Sequence, residues 1–303
     1  MRYKRVKKIL MFWCLFIGIG ALWGNICMFI KPDGSLLHME NLLPYFEVLP
    51  FSDILFKNYI FSGIMLLFVN GISNFIVFYL LLKNKKIGII LGMIFGITLM
   101  LWITIQFIIL PKNILSISYF VFGFMQFLIG LITLIFYVQE QFVFNEENYH
   151  INKSSKTIVI YFSRMGYTKK IAYAFANKEN ANIYEVTTKE KTSGTLGFWW
   201  CGRFDMHRWR MNIENINIDL KKFDKVIIVS PIWVFDLCSP IREFCYKYKS
   251  EINSYELVLT HFMKSKFINV KENVCKIIGK SCKKFTSVCV RYGKIKEMIY
   301  TKI

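Results

Sequence analysis

The sequence predicts two structural classes in one chain: an α-helical transmembrane region, then an α/β domain built on a five-stranded parallel sheet. Three observations carry this. Four apolar runs of 22 to 25 residues, without Asp, Glu, Lys or Arg, crowd the first 138 positions. The composition then turns polar at Gln139-Glu140-Gln141 and Asn145-Glu146-Glu147-Asn148. From Thr157 onward, short apolar stretches alternate with helical ones, the pattern of strands joined by helical crossovers. With 303 residues the chain has length for about two domains. Residues 1–140 are expected to carry four membrane helices, 141–156 to link, and 157–303 to form the α/β domain.

The four runs are 9–30, 59–82, 87–110 and 114–138. A bilayer core needs about 20 apolar residues in a helix, so each run is long enough to span. A cleaved leader is the competing reading of the first run, but its length and the lack of a small-x-small cleavage site argue against it. Basic residues set the expected orientation. Arg2, Lys4, Arg5, Lys7 and Lys8 precede the first run, and Lys83, Lys85 and Lys86 lie between the second and third. The two opposite loops hold only Lys31 and Lys57, then Lys112. Both termini are therefore expected on the cytoplasmic side, as in a multi-pass cell-membrane protein with the α/β domain in the cytoplasm. The Pro111-Lys112-Asn113 link makes runs three and four a hairpin, and residues 31–58 form the one sizeable external loop.

Gly88, Gly92 and Gly96 recur every four residues, a spacing that lets helices approach closely. Asn70, Asn74, Gln106 and Gln126 are amides within the runs, and interhelical hydrogen bonding is their expected role. The four histidines, His38, His150, His207 and His261, all lie outside the runs, which argues against haem held by paired histidines in the membrane. No run carries an ionisable residue at its centre, which gives little support to an ion-coupled transporter. The expected partner of this half is the lipid bilayer.

In the second half, strands are expected near 157–162, 183–188, 225–230, 255–262 and 286–291, and helices near 168–178, 197–212, 240–252 and 271–284. The first strand runs into Ser163-Arg164-Met165-Gly166-Tyr167-Thr168 and a helix. A helix start leaves backbone N–H groups unpaired and carries positive partial charge, so this loop is a phosphate cradle. Ligands of parallel sheets sit beyond the C-terminal strand ends. The loop after strand three, Ser230 to Phe235, offers an aromatic face for a flat ring, and Thr260-His261-Phe262 leaves strand four nearby. Phosphate plus planar ring points to a nucleotide or flavin.

These residues resemble the flavodoxin-like proteins over about 156–292. The hydroxyl-x-hydroxyl-Gly-x-Thr loop of that family corresponds to Ser163–Thr168. Its Asp, apolar strand, Ser/Thr-Pro-x-Trp and Pro-x-x-x-Phe signature corresponds to Asp224, Val226–Val229, Ser230-Pro231-Ile232-Trp233 and Pro240 to Phe244. Gly197-Phe198 to Arg203 is similar to a subset with an extended second-helix region. The resemblance implies strand order 2-1-3-4-5 and FMN as cofactor. By the same resemblance, Ser163, Arg164, Met165, Gly166, Tyr167 and Thr168 would hold the phosphate. Pro231, Ile232 and Trp233 would flank the ring, with Thr260 and His261 on its other side.

The chain departs from the family in three ways. Met165 and Tyr167 replace small polar residues in the loop, and Arg164 is the residue that could compensate by pairing with phosphate. Only Gly293–Ile303 remain where a last helix is expected. Residues 151–303 carry 28 Lys and Arg against 13 Asp and Glu, whereas flavodoxins are typically acidic. The basic balance suits an anionic leaflet and would raise the flavin midpoint potential by favouring the anionic reduced form. No nucleic-acid-binding motif accompanies it.

The stretch FWWCGRFDMHRWR (198–210) has two readings of equal weight: aromatic residues that cover the flavin or enter the membrane interface, or an amphipathic helix packed on the sheet. The eight cysteines form no C-x-x-C, so neither an iron–sulfur cluster nor a zinc site is expected; Cys238, near the ring loop, is the one redox candidate. There is no legible Ser-His-Asp set, paired carboxylates, G-x-G-x-x-G or Walker sequence. The expected function is a membrane-anchored FMN protein passing electrons between a cytoplasmic donor and a membrane-associated acceptor, a quinone or a membrane redox protein. The alternative is a flavodoxin-fold sensor or scaffold that binds flavin weakly or not at all. An enzyme oxidising a porphyrin-type or quinol substrate is a third expectation.

Overall fold

A computed structural model describes residues 2–302, and side chains through residue 300. The chain divides into two compact units, 1–141 and 142–303. Residues 142–156, expected as a linker, are thus part of the second unit.

In the first unit, α1 (Arg2–Ile30) is followed by short 3-10 turns and α2 (Ser52–Leu55). Next come α3 (Ile60–Leu66), a π-helical turn (Leu67–Ile72) and α4 (Ser73–Leu82), which continue one another; then α5 (Lys86–Ile109) and α6 (Ile114–Glu140). Among the described residues four helical segments are long and apolar enough to cross a membrane: 2–30, 60–82, 86–109 and 114–140. Small residues set the packing of α5 on α6. A β-carbon on Gly96 would lie 2.7 Å from the Phe127 nitrogen and 2.8 Å from the Gly123 oxygen, so only glycine fits there. One amide pair joins two helices, Gln126 Nε2 donating to Asn74 Oδ1 at 2.8 Å; Asn74 Nδ2 donates within its own helical segment to the Asn70 carbonyl at 2.8 Å, and the Asn70 side chain has no partner among the described residues. All three side chains are buried.

The second unit runs β1 (Thr157–Tyr161), α7 (Tyr167–Lys178), β2 (Asn182–Glu185), α8 (Gly194–Met206), β3 (Lys225–Trp233), β4 (Asp236–Leu237), α9 (Ser239–Tyr248), β5 (Tyr255–His261), α10 (Ile268–Ile278), β6 (Lys284–Arg291) and β7 (Lys294–Lys302). The sheet order is β2-β1-β3-β5-β6-β7, with β4 paired to β3. Its first five members are mutually parallel and follow the order 2-1-3-4-5 of flavodoxin-like sheets.

The expected five-stranded, all-parallel sheet needs correcting: the sheet has seven strands and is mixed. β7 pairs antiparallel with β6 across a turn at Tyr292-Gly293, both at positive φ (51° and 76°). That geometry matches the twist of a two-residue hairpin and turns the chain straight back, so the tail extends the sheet where a helix was expected. β4 arises the same way. β3 runs three residues past its expected end and doubles back through Val234-Phe235, at φ 43° and 63°.

Alternation places strand side chains on two faces. Ile158, Ile160, Val226, Ile228, Leu257 and Leu259 pack with Phe244 of α9 and Val270 and Val274 of α10. Val159, Tyr161, Ile227, Val229 and Val258 pack with Ile171 and Phe175 of α7. The segment entering the unit straps across α7. Phe142 meets the Tyr167 ring edge-on at 4.7 Å, Phe144 meets Tyr173 at 5.2 Å, and Glu146 accepts from Tyr173 Oη at 2.8 Å while pairing with Lys169.

Candidate functional site

β1, β3 and β5 lie side by side and point their C-terminal ends to the same edge of the sheet, with Tyr161 registered to Val229 and Pro231 to Thr260. The chain leaves β1 toward β2 on one side and returns to β3 on the other, so the crevice between β1 and β3 is the switch point of the sheet. The residues singled out from the sequence lie at or beside these strand ends.

The loop after β1 is shaped by Gly166, at φ 84° directly before α7, a conformation that L residues rarely adopt. Ser163 Oγ accepts from the Gly166 N–H at 3.1 Å. The first α7 amide with an acceptor is that of Lys170, bonded to the Gly166 carbonyl at 3.0 Å. Among the described residues, the N–H groups of Tyr167, Thr168 and Lys169 have no acceptor. They form a donor cluster at the positive end of a 12-residue helix, fitted to an anion.

Thr168 is buried, and its Oγ1 lies 2.8 Å from Thr260 Oγ1 at the end of β5. Thr260 Oγ1 is also 3.5 Å from the Ser230 carbonyl. Thr168, Ser230 and Thr260 therefore join the start of α7 to β3 and the end of β5. Trp233 stands edge-on against Phe162, centroids 5.5 Å apart at 89°. Ile232 packs on the core, and the Pro231 carbonyl accepts from the Cys238 N–H at 3.3 Å.

Other named residues face elsewhere. Arg164 donates from Nη1 to the Gly194 carbonyl at 3.3 Å and lies over the Phe198 ring, so it ties the loop to α8. Met165 is half-buried, and Tyr167 turns its ring to Phe142, its hydroxyl buried without a partner. His261 points toward β6. Its Nδ1 is 2.6 Å from the Met263 carbonyl and its Nε2 2.7 Å from Ser287 Oγ. A carbonyl only accepts, so Nδ1 carries the proton; the Nε2 partner, Ser287 Oγ, also donates to the Ser265 carbonyl at 3.3 Å. Burial holds this imidazole below its usual pKa. Cys238 is fully buried 3.3 Å from Ser230 Oγ, and burial pushes its thiol pKa up. A protonated, enclosed thiol is the inert form, against the redox role considered for it.

An ion-pair cluster beside the ring loop has no counterpart among the expected site residues. Arg242 of α9 donates to Asp205 Oδ1 of α8 at 2.8 Å and to the Leu237 carbonyl at 2.6 Å, both side chains being buried. Arg208 donates to the Val234 carbonyl at 3.1 Å and pairs with Asp236 at 3.4 Å. These arginines hold the strained Val234-Phe235 turn. Left-handed conformations of this kind cost on the order of 1–3 kcal/mol each and persist only when surroundings enforce them. The sequence signal was the lone acid in FWWCGRFDMHRWR, whose partner 37 positions later was not legible.

No protein-family model matches the chain, and no curated protein matches it. Among solved structures it is similar to a Lactobacillus acidophilus flavoprotein in complex with FMN, at 21% identity and TM-score 0.36, covering 41% of this chain and 88% of that one. The apo form of the Lactobacillus acidophilus flavoprotein gives 20% and 0.36, covering 43% and 88%. A flavodoxin, WrbA-like protein of Agrobacterium tumefaciens gives 14% and 0.29, covering 42% and 76%.

Proposed function

We propose that this protein is a membrane-anchored flavodoxin-like FMN protein that passes electrons between a cytoplasmic donor and a membrane-associated acceptor. One observation carries the reading. The acceptor-free amides of Tyr167–Lys169 sit at the sheet's switch point, on the strand-end side that also holds Thr260 and Trp233. That combination suits a phosphate joined to a flat ring. In this reading the three amides and Ser163 hold the phosphate, and Trp233 with Pro231 and Ile232 borders the ring. FMN, when bound, accepts and returns one or two electrons. The chain's part is to bind it, orient it and shield it from water.

The four helices keep the α/β unit at a bilayer, which raises its local concentration near a quinone or a membrane redox protein. The lysine and arginine distribution supports a cytoplasmic side for both termini and the α/β unit. A second reading, a sensor or scaffold without flavin, draws on Tyr167 being committed to Phe142 and Arg164 to Gly194. The visible spectrum of the full chain purified in detergent separates the two. Flavin bands near one FMN per chain support the carrier. A colourless protein that added FMN does not reconstitute sinks it.

A further inference from the structure

Helix α8 is built inside out. The residues it buries are Gly197, Cys201 and Asp205, one small or charged side chain per turn. The residues it exposes include Leu196 at 67%, Phe198 at 56%, Trp199 at 69% and Met206 at 68%, followed by the exposed Trp209. A helix that packs on a globular core shows the reverse arrangement. The seating is fixed by sequence: any β-carbon on Gly197 would strike the Thr192 backbone, and Asp205 is held by buried Arg242. Rolling the aromatic residues inward would cost both contacts.

The surroundings are basic. Lys189, Lys191 and Arg203 are exposed on and beside the helix, as are Arg208 and Arg210, which pair with Asp236 and Glu243, while Glu190 accepts from Trp200 Nε1. Arg203 lies 5.8 Å over the Trp200 ring and 5.4 Å over the Trp209 ring, and has no acidic partner among the described residues. Exposed apolar patches of this kind mark interaction surfaces. Tryptophan, phenylalanine and leucine bordered by arginine and lysine are the chemistry of the membrane interface, where rings enter the headgroup layer and guanidinium groups meet lipid phosphate. The excess of 28 basic over 13 acidic residues in 151–303 favours the same occupant.

From this we infer that the outward face of α8, Leu196 to Trp209, docks into the surface of an anionic bilayer. The Arg164 contacts to Gly194 and Phe198 then couple membrane contact to the loop at 163–168. The inference rests on the reading that the four helices cross a bilayer, and is independent of FMN.

The test uses the full chain in phosphatidylcholine liposomes, with and without phosphatidylglycerol, carrying a phospholipid with a photoactivatable acyl chain. Labelled peptides are located by mass spectrometry. Expected is label on the peptide spanning 194–209 as well as on the four helices, stronger with phosphatidylglycerol. Arg203→Glu should lower the 194–209 label about fivefold, and Phe198→Ser with Trp199→Ser should remove it, leaving the helices labelled. Labelled helices with an unlabelled 194–209 peptide overturn the inference. So does label on the 194–209 peptide that is no stronger with phosphatidylglycerol, which would remove an anionic surface as its occupant. Unlabelled helices would overturn the membrane reading itself, so the two failures are distinguishable.

Discussion

Thr168 and Thr260, 92 positions apart in the chain, bring their hydroxyls to 2.8 Å in a buried site that ties the start of α7 to the end of β5. Removing the Thr260 hydroxyl leaves that of Thr168 without its partner, whereas Thr260 also has the Ser230 carbonyl. Thr260→Val is expected to lower stability by about 1–3 kcal/mol, while Thr168→Val with Thr260→Val should recover much of the loss, since both polar groups then go. Denaturant unfolding of both singles and the double variant closes the cycle. Additive losses would show that the hydroxyls do not act as a pair.

Trp233 borders the proposed ring site, edge-on to Phe162. Trp233→Ala should weaken FMN binding about tenfold or more, in line with loss of a stacking aromatic worth about 1–3 kcal/mol in comparable ring contacts. Quenching of flavin fluorescence on titration reads the change. An unaltered affinity would remove Trp233 from the site.

Arg242 and Asp205 form a buried ion pair, and losing one partner leaves a charge without compensation. Arg242→Ala is expected to destabilise the α/β unit by about 3–5 kcal/mol, whereas replacing both residues by apolar ones of similar size should cost far less. Thermal scans reporting on the second unit test this. A single-variant loss within 0–1 kcal/mol, the range of about a surface pair, would contradict it.

His261 is neutral in the fold, held below its usual pKa first by burial. Its stabilising contribution is complete above the unfolded value of about 6.5 and is lost as pH falls through the lower folded value. Thermal midpoints should therefore drop as pH is lowered from 7.5 to 5, and less steeply in His261→Gln. Identical slopes would show that His261 is not responsible.

Gly96 meets Gly123 backbone to backbone. Gly96→Val should force α5 from α6 and shift the chain toward unfolded or aggregated forms in detergent, seen as a lower unfolding temperature. A normal temperature would mean the helices tolerate a wider spacing than their contact implies.

How far the sequence was legible follows physical lines. Runs free of charge announce helices long enough for a bilayer, because length and polarity alone decide that. The parallel strands stood out as apolar runs, since buried strands need no alternation. The two hairpins did not. Val234-Phe235 and Tyr292-Gly293 adopt left-handed turns, and only the second contains glycine. A turn enforced by arginines from distant elements leaves no local mark. Loop residues such as Ser163, Gly166 and Thr168 were readable by type, but not the directions of Arg164 and His261, which depend on partners at Gly194 and Ser287.

Phe142 is the first residue of the second unit, and its ring lies against Gly166 and Gly293, two glycines whose open sides it fills. A shortened protein beginning at residue 150 would lack that ring along with Phe144 and Glu146. Tyr167 and Tyr173 would then face water, and the unit would become prone to aggregate for reasons unrelated to its chemistry. For soluble expression, spectroscopy or crystallisation of the α/β unit, the safe cut lies ahead of Phe142, at the last polar residues of α6.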